Sequence, residues 1–262
     1  MAARFASIVL LLGLLVFPLS GARADAAGDK RRVLLASVRR IAVVPPFFGT
    51  DTLARVSGSE EADKTEKASR APEGRPAKEP DAREKRYAEQ LRRLEAHVRT
   101  TLPARVAART PFAVVPADEL AKAFEALNLT PAKLFQNGGR IRSARFAAPD
   151  AQAVSKLADF LHADAVLLGT LDEPRRSNGR YYFDMLSGLS YDSAHVRGKA
   201  GYYLLLADGT EALHAFIEVL QPLSRIGNRD YILADWMDAE SLVIENLMDE
   251  ITRYAPEKSA KR

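Results

Sequence analysis

The stretch Ala165-Val166-Leu167-Leu168-Gly169-Thr170-Leu171 constrains the fold of this chain more than any other. It carries no charge and no polar alternation, so as a strand it needs apolar cover on both faces. A strand of that kind belongs inside a sheet with helices on either side, an α/β layer arrangement. The residues before it agree. From Asp150 onward, Val154, Leu157, Ala158 and Leu161 recur on one side of a helix, and His162-Ala163-Asp164 connects it tightly to the strand.

The remaining elements follow the same logic. Ile41-Ala42-Val43-Val44 is a short β-branched run stopped by Pro45-Pro46, which reads as a buried strand; Val33 to Val38 reads as another strand or a feeder segment. Residues 57–86 contain no large apolar side chain and are roughly half charged, so they cannot offset their ordering entropy and are expected to be a disordered insertion. Tyr87, Leu91, Leu94, Val98 and Leu102 then form one helical stripe, with Pro103 expected to end or kink the helix. Phe112 to Val115 is a strand before Pro116. Asp118 is expected to cap the next helix, and Thr130-Pro131 to open a short one. Asn137-Gly138-Gly139 reads as a loop and Tyr181 to Phe183 as a short strand. Gly201 to Ala207 and Glu211 to Leu220 form a hairpin turning at Asp208-Gly209. A helix over Ala239 to Arg253 closes the domain, and residues 255–262 form a charged tail. The expectation is one α/β domain over residues 33–254: a small mixed β-sheet flanked by helices, with a late β-hairpin and a C-terminal helix.

Residues 1–24 read as a Sec-type signal peptide. Arg4 precedes an uncharged run from Phe5 to Phe17, shorter than the ~20 residues of a spanning helix. Pro18 breaks it, and Ala22-Arg23-Ala24 supplies a small-x-small cleavage pattern. The mature protein is therefore expected in the periplasm or secreted, with no transmembrane segment after cleavage. Cysteine is absent, which excludes a lipid-modified cysteine, disulfides and thiolate metal sites. The chain has 38 Lys plus Arg against 34 Asp plus Glu, and cleavage would remove two arginines, Arg4 and Arg23, and no acid. So balanced a charge gives no general attraction to nucleic acid.

Three stretches carry a family resemblance. Ile41-Ala42-Val43-Val44-Pro45-Pro46-Phe47 fits a first strand I-A-V-x-P followed by Phe, and Leu94 to Val115 fits a helix leading to f-x-V-V. Leu157-Ala158-Asp159-Phe160-Leu161-His162-Ala163-Asp164-Ala165-Val166-Leu167-Leu168-Gly169 fits L-A-x-x-L-x-A-D-A-V-L-x-G. The hairpin around Asp208-Gly209-Thr210-Glu211 is similar too, with Gly and Thr reversed. The chain thereby resembles the envelope domains typified by the amino-terminal domain of TolB, by CsgG and by LpoB, over most of residues 33–254. It departs from them in lacking a lipidated cysteine, room for a propeller and long membrane hairpins. The resemblance implies a domain that binds other envelope proteins. Together with the lack of any catalytic signature, the expectation is a non-enzymatic accessory or adaptor protein without a cofactor.

No catalytic motif competes with that reading. His97, His162, His195 and His214 form neither H-x-x-x-H nor H-E-x-x-H, and no G-x-S-x-G elbow or phosphate-binding G-x-x-x-x-G-K-[ST] loop occurs. A periplasmic hydrolase or a small-ligand-binding module with an unmarked site remains the alternative. Asp164 reads either as a ligand carboxylate or as a group satisfying free backbone N–H at the strand start. Trp236, between the acids Asp235 and Asp238, is the candidate partner-binding anchor, the other reading being that it packs under the terminal helix. Tyr202 and Tyr203 are candidate surface aromatics or core residues of the strand.

Overall fold

A computed structural model describes residues 27–49, 82–139, 146–172, 175–177, 181–183, 190–192, 195–222 and 232–258. The expected signal peptide and most of the charged insertion lie outside these residues. Five helices are described: α1 (27–36), α2 (Ala82–Arg109), α3 (Ala117–Ala126), α4 (Ala151–Leu161) and α5 (Ile232–Tyr254). The strands are β1 (Arg40–Val43), β2 (Phe47–Phe48), β3 (Ala113–Val114), β4 (Ala165–Leu171), β5 (Arg175–Ser177), β6 (Tyr181–Phe183), β7 (Ser190–Asp192), β8 (His195–Leu206) and β9 (Glu211–Pro222).

Seven strands form one mixed sheet, while β6 and β7 pair separately. β4 is central: β1 and β2 lie parallel along one edge and β8 antiparallel along the other. β2 resumes the β1 line after Pro45-Pro46, whose missing N–H groups interrupt the ladder. β3 runs parallel to β1 at one side of the sheet, and β9 pairs with the full length of β8 at the other. Every residue of β4 is buried, as the unbroken apolar run demands.

Side chains alternate across this sheet into two cores. One face presents Ile41, Val43, Leu167, Tyr202, Leu204, Ile217 and Val219 to α1, α2 and α5. The other presents Ala42, Val44, Val166, Leu168, Tyr203 and Leu205 to α3 and α4. In α2 the stripe Leu91, Leu94, Val98 and Leu102 is fully buried, and Val106 continues it. The sequence predicts that Pro103 ends or kinks the helix, with one more short turn to Ala108. The helix instead runs through Pro103 to Arg109 as one element, with Val106 buried one turn beyond the proline.

Other boundaries shift for local reasons. Residues 33–36, read as strand or feeder, belong to α1 and bury Leu35. α2 begins at Ala82, inside the stretch 57–86, since Ala, Arg, Glu and Lys are good helix formers despite having nothing large to bury. Asp118 lies within the first turn of α3 instead of capping it. Thr130 caps the Pro131–Leu134 turn through Lys133 N–H, and Asp150 caps α4 through Gln152 and Ala153 N–H. The terminal helix starts at Ile232 instead of Ala239, because Trp236 extends its buried face.

Candidate functional site

The residues singled out in the sequence separate into a structural group and a buried group. Asp164 belongs to the first. Its Oδ2 accepts the backbone N–H groups of Arg39 (2.7 Å) and Arg40 (2.8 Å), and its own carbonyl accepts from Ala207 N–H (2.9 Å). The carboxylate thus ties the start of β1 to the start of β4 and is already satisfied by main chain. His162 ends α4 in the left-handed region at φ 50°, where it terminates the helix.

Trp236, Tyr202 and Tyr203 are only 5, 1 and 5% exposed, which corrects their reading as partner-contacting residues. Trp236 meets Tyr87 of α2 edge-to-face at 5.6 Å, so the ring serves the α2–α5 contact. Tyr202 lies flat across Gly169: a Cβ on that glycine would stand 2.4 Å from Tyr202 Cδ1. Tyr203 is the middle of an aromatic row on the opposite face. Phe47 meets Phe135 at 5.7 Å, Phe135 meets Tyr203 at 6.3 Å, and Tyr203 stacks on His214 at 4.2 Å.

A buried acid accompanies Tyr202. Glu240 projects from α5 toward β8 where Gly198 leaves room, its Oε1 standing 3.4 Å from where a glycine Cβ would be. It is fully buried, and neither carboxylate oxygen has a hydrogen-bond partner; nor does the Tyr202 hydroxyl. Burial, and secondarily the charge of Asp172, push the Glu240 carboxyl up to about 8. Burial also raises the Tyr202 hydroxyl well above its ordinary value, with the Glu240 charge adding to it. At neutral pH Glu240 is therefore mostly protonated, which lowers the cost of keeping it in an apolar layer. A group so enclosed has no surface toward a substrate. The sequence did carry its signal, because Glu240 falls three and four residues before Val243 and Ile244, on the apolar side of the helix.

One pair resembles a nucleophile and base. His97 Nε2 lies 3.2 Å from Ser241 Oγ, between α2 and α5. Ser241 donates its hydroxyl hydrogen to Met237 O at 2.7 Å, which engages the serine proton with main chain. Among the described residues no group of three or more His, Asp or Glu is arranged to hold a metal ion, and no helix is long and apolar enough to cross a membrane.

Of the exposed large apolar side chains among the described residues, Val33, Phe160 and Leu242 sit singly on three helices, and Phe216 and Leu220 share the outermost strand. Along β9 the residues His214, Phe216, Glu218 and Leu220 are exposed, alternating with buried Leu213, Ala215, Ile217 and Val219. Phe216 is 51% and Leu220 58% exposed. Phe146 seats on Gly201 and meets Phe216 edge-to-face at 5.2 Å, and Glu218 pairs with Arg197 and Lys199 of β8. The alternation was readable in the sequence; which row lacked a covering helix was not.

No protein-family model matches this chain, and no curated protein is significantly similar to it. Among solved structures it is similar to a lipoprotein of Neisseria meningitidis, at 18% identity and TM-score 0.35, over 79% of this chain and 99% of that one. A hypothetical protein of Chlamydia trachomatis matches at 10% identity and TM-score 0.37, over 83% and 98% of the two chains. E. coli LpoB matches at 12% identity and TM-score 0.34, over 74% and 66%. Similarities of this size assign no function.

Proposed function

We propose that the protein is a non-enzymatic accessory or adaptor protein of the bacterial cell envelope, exported to the periplasm, that binds other envelope proteins. The observation that carries this reading is the distribution of polar and apolar groups. The unusual acid, Glu240, and the aromatics beside it are enclosed, whereas two large apolar side chains, Phe216 and Leu220, face outward on a strand at the side of the sheet. Enclosed polar groups cannot act on a substrate, and an apolar row bordered by charge suits contact with a protein. The His97–Ser241 pair gives the hydrolase alternative little support, since the Ser241 hydroxyl hydrogen is directed to Met237 O.

Affinity capture from envelope extracts tests the proposal when run with wild type and with Phe216→Ser/Leu220→Ser side by side. A protein retained by wild type and lost by the double variant, at equal melting temperature, is the expected result. Retention that is identical for both would remove this surface from the function. Hydrolytic activity abolished by Ser241→Ala in a well-folded variant would replace the adaptor with an enzyme.

A further inference from the structure

We propose that β9 is a self-association edge: two copies of this chain pair their β9 strands antiparallel about a twofold axis at Phe216, joining their sheets into one. The inference goes beyond envelope binding, because it names a second copy of the chain as an occupant of the surface.

The two sides of the sheet are finished differently. β3, at one side, is only two residues long and is followed directly by Val115-Pro116, so it offers almost no ladder to a neighbour. β9, at the other, runs for 12 residues, and among the described residues it pairs with β8 alone. Edge strands usually blunt themselves with interior proline, lysine or an inward-pointing charge. β9 has no interior proline or lysine and no inward-pointing charge: its proline is terminal, and its covered row, Leu213, Ala215, Ile217 and Val219, is wholly apolar. Its protection is limited to a register shift opposite Leu204/Leu205 near its start and to Glu218 on the outer row. That row also retains a little exposure at 7 to 8% for Ala215, Ile217 and Val219, whereas Ala165, Leu167 and Leu204 further inside have none. A strand laid alongside would close the remaining gap.

The sequence of β9 is complementary to itself read backward. An axis at Phe216 sets Phe216 against the partner's Phe216 and His214 against the partner's Glu218, a pairing the twofold repeats in reverse. On the covered face it sets Leu213 against the partner's Val219 and Ala215 against the partner's Ile217, which continues the core beneath α5 from one copy to the next. Register can move only in steps of two without exchanging the faces. Each such step moves the axis by one residue. An axis at Ala215 or Ile217 would set Phe216 against the partner's His214 or Glu218, and one at Glu218 would oppose two carboxylates. Only the axis at Phe216 pairs the two aromatics and sets each histidine against a glutamate. The paired sheet would also place both copies of Phe216 and Leu220 on one face.

The chain has no cysteine, so single cysteines report the contact without background. Purified full-length protein should sediment as a dimer that dissociates on dilution. Phe216→Asp, which opposes two acids on the axis, should shift it to monomer. Phe216→Cys should give a covalent dimer with a short bis-maleimide, and Val33→Cys, 72% exposed and outside the strand, should not. The cysteine pair keeps the test valid even if Phe216→Asp fails to fold. Wild type that stays monomeric to several hundred micromolar overturns the proposal, including the case in which the edge takes an extended segment of another protein instead. Equal cross-linking at both cysteines overturns it as well. Only purified chain is present, so a monomeric outcome removes the dimer and leaves envelope binding to its own capture experiment.

Discussion

Strand β4 buries each of its residues from Ala165 to Leu171, whereas along β9 buried and exposed residues alternate from Leu213 to Leu220. Both strands belong to the same sheet and both are rich in aliphatic side chains. The difference comes from position. β4 has a strand on each side and helices above and below, so any polar group introduced there lacks water and partner alike. Among the described residues α5 covers one face of β9, while the other meets Phe146 at Phe216 and tolerates His214 and Glu218. The same substitution should therefore have opposite consequences in the two places.

The largest effect is expected in β4. Leu168→Asp should prevent folding, since an unpaired buried carboxyl costs several kcal/mol against the ~5–15 kcal/mol that holds a domain together; circular dichroism of the purified variant reads this directly. A folded, cooperatively melting variant would mean that the layer over Leu168 is not sealed. Next comes Gly169→Ala, which adds one methyl group where Tyr202 already lies. A loss of about 1–3 kcal/mol in a denaturant titration is expected from such overpacking. Tyr202→Phe in the same background should not relieve it, because the conflict is with the ring and not the hydroxyl.

Glu240→Gln probes the helix that covers both strands' neighbour, β8. The native carboxyl titrates near 8 and the unfolded one near 4.5, so the native state holds the proton more tightly. Stability is then fully present below about pH 4.5 and falls as pH rises toward 8, by up to roughly 1.4 kcal/mol per pH unit. Replacing the acid by its amide should flatten that decline and leave the variant more stable than wild type at pH 8. Chemical denaturation at pH 5, 6.5 and 8 decides it, and parallel curves for the two proteins would show that Glu240 does not titrate in this range. The smallest effect belongs to β9: Leu220→Ser should change stability by no more than about 0.5 kcal/mol. A larger loss would mean that the outer face of β9 is covered after all.

This contrast also explains what the sequence could reveal. A continuously apolar run must be buried on all sides, and at seven residues behind a tight helix connection it is too short for a helix. Thus β4, its helix α4 and the β8–β9 hairpin were all legible from length and spacing. Helix limits were less so, because Pro103 and Trp236 are decided by what Val106 and Tyr87 meet across the core. Trp236, Tyr202 and Tyr203 could not be assigned to surface or interior, as aromatic side chains suit either. Glu240 was visible as an acid on an apolar helix face, but its isolation depends on Gly198, 42 positions earlier in the numbering. The uncovered row of β9 depends on which helices the chain spends elsewhere, and no local pattern encodes that.

The insertion of β1 between β3 and β4 sets the order in which this chain can be completed. β1 is made early, yet one of its neighbours follows on the far side of α2, and the Asp164 carboxylate that anchors Arg40 N–H is 124 residues further along. Until residue 171 has been synthesised, the first strand has no finished slot to enter, and its apolar residues stay without their native cover. Loop-closure cost rises only slowly with length, so the delay is a matter of timing more than of stability. Among the described residues β3 pairs with β1 alone, so that side of the sheet is joined to β4 only through the amino-terminal strand, which couples the two ends of a long stretch of chain.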